Sequence, residues 1–236
     1  MRELDVIISR YSELKAQNIR CILATVVHVD GSSYRRAGAR MLVDEYGNIT
    51  GAISGGCLEG DALRKALFAL DRQKNKLVTY DTSDEDDAVL GAQLGCNGII
   101  QVLFEPVDYT DANNSCELLR RVAEQEVPMV ISIVFNLDKS QKQRGTVLIA
   151  DENHAVASKP IPDNLHKALL FKSKEVINEG DSCFGELEID GEKHYVFIQK
   201  HQPPVNLVLV GAGNDAQILA QQAELLGWKV TVTDGR

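Results

Sequence analysis

The strongest restriction on the fold of this chain comes from residues 205–236, VNLVLVGAGNDAQILAQQAELLGWKVTVTDGR. An apolar run leads into the glycine-rich turn GAGNDA, an amphipathic run follows, and a segment rich in Val and Thr ends the pattern. Gly227 stands between the last two runs, where a helix C-cap belongs. The segment therefore predicts a strand, a helix and a second, parallel strand, which together make one βαβ unit.

The glycine-rich turn also predicts a ligand. It matches the pattern G-x-G-x-x-[G/A], in which Gly211 permits the tight turn and Gly213 lets the backbone approach a pyrophosphate. Asp234 ends the second strand, where an acidic side chain accepts hydrogen bonds from a ribose diol. The pattern indicates the start of a Rossmann-like domain with an NAD(P) site. The alternative is a scaffold of the same shape that binds no nucleotide.

One βαβ unit is too small to cover both faces of its own sheet. A Rossmann-like domain contains several more strands, so we expect the chain to be a form of a longer protein truncated at Arg236, or another chain to supply the rest. The uncovered apolar surface also favours a homodimer.

The preceding residues alternate helical and strand patterns, which predicts an α/β domain with a mixed sheet. The run HQPP at 201–204 reads as a linker, because Pro-Pro continues neither a helix nor a strand. The predicted fold class is therefore α/β. An N-terminal domain spans residues 1–200, the linker spans 201–204, and the first βαβ unit of a Rossmann-like domain spans 205–236.

Charge and composition exclude several classes of protein. The chain has 25 basic and 34 acidic residues, a net charge of −9, and no basic tract, which argues against nucleic-acid binding. It has no apolar run of about 18 residues, so we expect a soluble, cytoplasmic protein with no membrane association. Its five cysteines are scattered without a CxxC pair, which predicts neither a disulfide framework nor a zinc site.

A second glycine-rich motif lies in the run ISGGCLEGDALRKAL at 53–67, directly before a predicted helix. Gly55 and Gly56 expose backbone N–H groups, and the helix N-terminus adds its positive dipole end, an arrangement that binds phosphate or carboxylate groups. The same field favours the thiolate form of Cys57. The alternative is that Cys57 packs as a small buried apolar residue.

The run LGCNG at 94–98 places Cys96 between two glycines and before a strand. As in the first motif, a cysteine lies beside glycines and next to a regular element, so Cys57 and Cys96 are predicted to converge on one ligand. The alternative is a tight turn whose cysteine points inward. The other cysteines lie in apolar patterns and are predicted to be structural: Cys21, Cys116 and Cys183.

The loop GSSYRRAGARM contains a cluster of arginines in an otherwise acidic chain, namely Arg35, Arg36 and Arg40. Arginine is suited to bidentate recognition of anions, so these residues are predicted to bind an anionic ligand; the alternative is an ordinary basic surface loop. The acidic run at 84–87 is predicted to be solvated. The histidines are isolated from one another, and none is predicted to be catalytic.

Taken together, the runs GSSYRRAGARMLVDEYGNITGAISGGCLEGD and LGCNGIIQVLFEP and the βαβ segment resemble the XdhC/CoxI family. These are accessory proteins of xanthine dehydrogenase and related molybdenum hydroxylases. The resemblance is strongest over residues 22–64, 94–106 and 205–236. It implies an N-terminal α/β domain followed by a Rossmann-like domain.

The resemblance also implies a function. Family members bind molybdenum cofactor (molybdopterin), hold it while a cysteine desulfurase supplies the terminal sulfur, and pass it to the apoenzyme of the hydroxylase. The implied binding residues are Gly55, Gly56, Cys57 and Cys96, with the two thiols as metal ligands. Such a protein is a chaperone without turnover of its own.

Two alternatives to this function stay open. An NAD(P)-dependent oxidoreductase would use Gly211, Gly213 and Asp234, although no general acid–base pair accompanies that motif. A pure scaffold would dock the hydroxylase to the desulfurase without binding the cofactor.

Overall fold

The computed structural model describes residues 3–81, 98–138 and 140–235. Within these ranges the chain forms five helices: α1 (Glu3–Ala16), α2 (Glu59–Arg72), α3 (Ser115–Ala123), α4 (Asp163–Glu179) and α5 (Asn214–Leu225). The same ranges contain twelve strands: β1 (Cys21–Gly31), β2 (Arg40–Asp44), β3 (Ile49–Gly51), β4 (Lys76–Asp81), β5 (Gly98–Pro106), β6 (Met129–Phe135), β7 (Gly145–Ala150), β8 (Ala155–Ser158), β9 (Cys183–Ile189), β10 (Glu192–His201), β11 (Asn206–Val210) and β12 (Lys229–Thr233).

The first ten strands form two antiparallel sheets of five strands. The first sheet has the order β3-β2-β1-β5-β4 and the second has the order β8-β7-β6-β10-β9. Neighbouring strands in both sheets pair antiparallel. Helix α2 carries the chain from one edge of the first sheet to the other, and α4 does the same in the second sheet.

The two sheets are therefore tandem copies of one topology. Residues 3–106 run helix, three strands, helix, two strands, and residues 115–201 repeat that order. In both copies the first strand is central, and the crossing helix joins the two edge strands. We call residues 3–106 the first repeat and residues 115–201 the second repeat. The sequence showed no sign of this duplication.

The two repeats pack against each other through one apolar core. This core combines residues from the inner faces of both sheets and from α1 and α3. The outer face of the first sheet packs on α2, and the outer face of the second packs on α4. Because β1 and β6 are covered on both faces, Cys21–Val27 and all of β6 are buried. Examples from the inner core are Tyr11, Leu23, Leu103, Leu119, Ile131, Ile149 and Phe197.

The predicted α/β class is confirmed, but the predicted mixed sheet over residues 1–200 is instead two antiparallel sheets. The alternation of helices and strands suggested parallel pairing, since a βαβ unit joins parallel neighbours. Here α2 and α4 connect opposite edges of a sheet, and α3 connects one sheet to the other. Hydrophobic patterning does not show which strands the intervening helix connects.

Residues 205–235 form the predicted βαβ unit. Strands β11 and β12 pair in parallel, and α5 lies between them in the chain. The unit exposes large apolar side chains on both strands and on the helix: Val208, Val210, Leu225, Leu226 and Val232. Among the described residues, no helix combines the length and the apolar character that crossing a bilayer requires.

Candidate functional site

The sequence motifs of the first repeat lie in its connections, and the second repeat shows which of these are unusual. Between β9 and β10 the second repeat has only Asp190 and Gly191 in left-handed conformation, a tight hairpin turn. The equivalent connection, between β4 and β5, includes residues 82–97. The connection before α2 spans 52–58, whereas the connection before α4 spans 159–162. The fold does not require the longer connections of the first repeat. Because binding residues are concentrated in loops, the first repeat is the better candidate to carry a binding site.

Several of these connections meet at one end of the first sheet. Gly31, the last residue of β1, pairs with Gly98, and Asp81 pairs with the next residue of β5. A Cβ on Gly98 would lie 2.9 Å from the backbone nitrogen of Ser32, so the two backbones are in close contact. Two residues further on, Tyr34 packs against Gly55. This end of the sheet therefore gathers the arginine-containing loop and the SGGC loop.

The SGGC loop is held by Ser54 and Glu59. The Ser54 hydroxyl accepts hydrogen bonds from the N–H groups of Gly56, at 3.2 Å, and Leu58, at 3.1 Å. The Glu59 carboxylate accepts the Ser54 N–H at 2.8 Å and the Ser54 hydroxyl at 2.5 Å. Burial would raise the pKa of Glu59, but these bonds lower it. The ionised carboxylate fixes the loop and leaves the Cys57 side chain exposed.

Tyr34 and the two glycines shape the surface beside Cys57. A Cβ on Gly55 would lie 2.9 Å from the Tyr34 ring, so the ring rests directly on the backbone. Gly56 has a φ of +111°, which favours glycine, and no atom lies within 4 Å of the position of its Cβ. Tyr34 is 77% exposed. An accessible aromatic ring and an accessible thiol therefore lie on two loops that contact each other, the Tyr34 loop and the SGGC loop.

The three candidate arginines lie in different environments. Arg35 pairs with Glu3 at 2.9 Å, so its bond is directed toward α1. Arg36 is exposed, with no ion pair to any described residue. Arg40 is buried, and its Nη1 donates to the Gly38 carbonyl at 2.9 Å. The structure therefore does not gather the three guanidinium groups into one cluster.

Cys96 and the acidic run at 84–87 lie outside the described residues. The predicted structural cysteines occupy apolar surroundings: burial raises the pKa of Cys21 to about 11, that of Cys116 well above its usual range, and that of Cys183 in the same direction. Burial therefore disfavours the thiolate at these three sites. Cys57 is the exposed cysteine in the part of the chain that the structure describes. That part contains no group of three or more His, Cys, Asp or Glu side chains suited to a metal ion.

The glycine-rich turn of the βαβ unit has the predicted backbone geometry. Gly211 has a φ of +112°, and Gly213 is the N-cap of α5 in extended conformation. Asp234 accepts a hydrogen bond from the Ala212 N–H at 3.0 Å, which holds the carboxylate against the turn. The three predicted nucleotide-binding residues are thus adjacent.

Sequence patterns did not single out Tyr34, Ser54 or Glu59. A capping box places the acidic residue three positions after the serine. Glu59 follows Ser54 by five positions, which does not match that capping pattern. Tyr34 lies in a loop whose arginines predict an anion site and give no indication of an aromatic contact. Its only sequence signal is an aromatic residue in a polar loop.

Residues 14–81 match the model of the XdhC and CoxI family. This range contains the Tyr34 loop, the SGGC loop and most of the first sheet. The predicted family resemblance is confirmed. The segment that resembles XdhC and CoxI proteins is the one that carries the exposed thiol and ring.

Two relatives extend the comparison beyond that segment. The chain is 30% identical over 227 residues to a Bacillus subtilis protein named as a probable subunit of xanthine dehydrogenase, covering 91% of this chain and 59% of that protein. A crystal structure of a protein described as a xanthine dehydrogenase from Bacillus halodurans aligns over the whole chain with a TM-score of 0.69 and 29% identity. The chain covers 63% of that structure. It thus spans less than two thirds of either relative.

Proposed function

We propose that this protein is an accessory protein of a xanthine dehydrogenase-type molybdenum hydroxylase, and that it binds molybdenum cofactor at the SGGC loop. The observation that carries the proposal is the exposed Cys57 thiol on the loop against which the Tyr34 ring packs. Both residues lie in the segment that matches the XdhC and CoxI family. The two xanthine dehydrogenase-related relatives support the association with such a hydroxylase.

Each residue has a distinct part in this proposal. The exposed Tyr34 ring is a flat surface on which a planar pterin stacks. Ser54 and Glu59 hold the loop before the ligand arrives, which reduces the ordering cost of binding. The Cys57 sulfur is a soft ligand suited to the molybdenum centre of the cargo. We assign the phosphate to Arg36, because Arg35 is paired and Arg40 is buried.

The cargo then leaves the protein. The proposed recipient is the apoenzyme of the hydroxylase, and a cysteine desulfurase is the proposed source of the terminal sulfur while the cofactor is held. The exposed Cys57 thiol supplies one soft ligand from the described residues, which is consistent with a transient contact to the metal of the cargo.

Cofactor retention tests this proposal. The protein and its variants are expressed in a host that makes molybdenum cofactor, purified without oxygen, and assayed for the fluorescent oxidation product of the pterin. Wild type should retain pterin well above an unrelated protein. We expect Cys57→Ala and Tyr34→Leu each to retain about fivefold less, a loss that corresponds to about 1 kcal/mol of binding free energy.

Cys183→Ala is the matched control, because Cys183 is a half-buried thiol in the second repeat. It should retain as much pterin as wild type. The proposal is wrong if wild type retains no more pterin than the unrelated protein, or if Cys57→Ala and Cys183→Ala behave alike.

A second candidate function is nucleotide binding by the βαβ unit, favoured by the left-handed Gly211 and by the position of Asp234 against the turn. Trp228 is the single tryptophan of the chain and follows α5 closely, so NADH bound at this unit should quench its fluorescence saturably. Asp234→Ala should weaken that quenching. A titration without saturable quenching argues against this function and leaves the cofactor proposal untouched.

A further inference from the structure

A cavity of about 230 Å³ lies between the two repeats. It is bounded by α1, the start of β2, and strands β6 and β10. One part of its wall is polar and the other is aliphatic. The polar side chains include Arg40, Gln199 and His201, and the aliphatic ones are Leu4, Ile7 and Ile131.

Arg40 lines this cavity with unused hydrogen-bond donors. The residue is 5% exposed, and its Nη1 donates to the Gly38 carbonyl at 2.9 Å. Nε and Nη2 have no hydrogen-bond partner among the described residues. These two nitrogens share one edge of the planar guanidinium, the edge that binds a carboxylate in bidentate fashion. Burial lowers the pKa of Arg40 to about 10, so the group stays charged at neutral pH.

The acidic residues near Arg40 do not satisfy these donors. Glu105 has the largest favourable electrostatic effect on Arg40, but its two oxygens accept bonds from the Thr146 N–H, at 2.7 Å, and the Thr146 hydroxyl, at 2.8 Å. Glu3 also lines the cavity, and it pairs with Arg35. A buried guanidinium with two unpaired donors is unfavourable, so the cavity is incomplete without another group.

The second repeat shows what group is missing. Glu105 of β5 pairs with the third residue of β1, Leu23, and Gln199 of β10 pairs with the third residue of β6, Ile131. The two repeats share their strand order, so Glu105 and Gln199 occupy equivalent positions. One is a carboxylate and the other is a neutral amide.

Their partners are equivalent as well. Arg40 pairs with the fifth residue of β1, Thr25, and Thr146 pairs with the fifth residue of β6, Ile133. Between β5 and β7, the Glu105 carboxylate therefore accepts the donors of Thr146. In the equivalent place between β10 and β2, the stronger donor Arg40 faces the neutral amide of Gln199. The carboxylate of Glu3 on the cavity wall is paired with Arg35.

We propose that this cavity binds the carboxylate group of a small organic acid, held by the Nε and Nη2 of Arg40. The bound carboxylate supplies the negative charge that Glu105 supplies in the other half of the molecule, where the equivalent Gln199 is neutral. Leu4, Ile7 and Ile131 receive the aliphatic part of the acid. Inorganic phosphate fits less well, because the aliphatic wall would leave several of its oxygens without donors.

Thermal unfolding in the presence of simple acids tests the proposal. Acetate, propionate and butyrate are titrated against the full chain at constant ionic strength, with chloride, sulfate and phosphate as comparison anions. A ligand that binds only the folded state raises the unfolding temperature saturably. We expect butyrate to do so, and Arg40→Lys to weaken its apparent Kd about tenfold, because lysine keeps the charge but lacks the bidentate edge.

Gln199→Glu is the second variant, and it does not depend on the folding of Arg40→Lys. It places a carboxylate on the wall of the same cavity, as Glu105 does in the equivalent position. This variant should unfold at a higher temperature than wild type without any ligand, and it should no longer respond to butyrate. Arg20→Lys is the control, because Arg20 is an exposed arginine paired with Glu45 at 2.9 Å; its response should equal that of wild type.

Three outcomes would overturn the proposal. The first is that no carboxylate shifts the unfolding temperature of wild type. The second is that Arg40→Lys responds to butyrate as wild type does. The third is that phosphate or sulfate stabilises the protein more than butyrate, which would assign the cavity to another class of anion. The pterin assay reads out neither Arg40 nor this cavity, so either proposal can fail alone.

Discussion

Gly145→Ala should destabilise the protein by about 3–5 kcal/mol, because the added methyl group has no room at the contact between the repeats. Gly145 has a φ of +85°, and a Cβ there would lie 2.2 Å from the Glu105 Oε1 and 2.7 Å from the Asn75 Nδ2. Glu105 is buried and is held by both donors of Thr146, so it cannot move without leaving those donors unpaired. Urea unfolding at neutral pH measures the loss.

Gly191→Ala separates the two causes of this effect. Gly191 has a φ of +79°, close to that of Gly145, but no atom lies within 4 Å of the position of its Cβ. It should therefore show only the cost of the left-handed backbone, about 1–2 kcal/mol. Equal losses of unfolding free energy in the two variants would mean that the Glu105 side chain moves at little cost. The close contact between Gly145 and Glu105 would then not stabilise the packing of the repeats.

Glu117→Gln should destabilise the protein by about 2–3 kcal/mol at neutral pH and by much less in acid. The Glu117 carboxylate accepts hydrogen bonds from Lys15 at 2.6 Å, Arg120 at 2.8 Å and Tyr11 at 2.9 Å, which links α1 to α3. Burial alone would raise the pKa of Glu117, but these three bonds outweigh it and lower the pKa to about 2.

The direction of the pH dependence follows from that shift. The folded-state pKa lies below the ordinary value of 4.5, so the ionised carboxylate stabilises the protein fully above that value. The contribution declines as the pH falls from there toward 2, and at about pH 3 the difference between wild type and Glu117→Gln should be less than half of its neutral value. Urea unfolding at several pH values measures this difference.

Glu124→Gln is the control for this prediction. Glu124 also accepts a bond from Arg120, but its side chain is 56% exposed, so we expect a loss of about 0.5 kcal/mol or less. A pH-independent difference between wild type and Glu117→Gln would show that the carboxylate is not held in its ionised form by this network.

Some residues of the candidate site could be predicted from the sequence, and others could not. The SGGC motif identified Cys57 because glycines before a helix have a local backbone consequence, and that consequence needs no knowledge of the fold. Tyr34 was missed because its contact with Gly55 joins two loops that are separate in the sequence. The arginine cluster was a local pattern whose members have different neighbours: Arg35 contacts α1, and Arg40 lies inside the cavity.

Sequence patterns also did not predict the duplication of the fold. The repeats share strand order and, apart from a bulge in each sheet, the register of their central strands, yet equivalent positions hold Glu105 and Gln199, or Arg40 and Thr146. Both members of such a pair satisfy the same backbone geometry, because pairing in a sheet uses main-chain groups. The side chains were free to diverge, and identities such as Val26 with Val134 are too common in buried strands to reveal the symmetry.

Sequence patterns were enough to establish the local elements, the βαβ unit with its glycine turn, the family resemblance and the position of Cys57 directly before a helix. These features depend on periodicity, turn chemistry and short motifs, which act over a few residues. The folded chain was needed to establish that the strands form two antiparallel sheets, that Tyr34 lies against Gly55, and that Arg40 is buried with unused donors. Those features depend on which distant segments meet, and that is settled by packing the whole chain around one core.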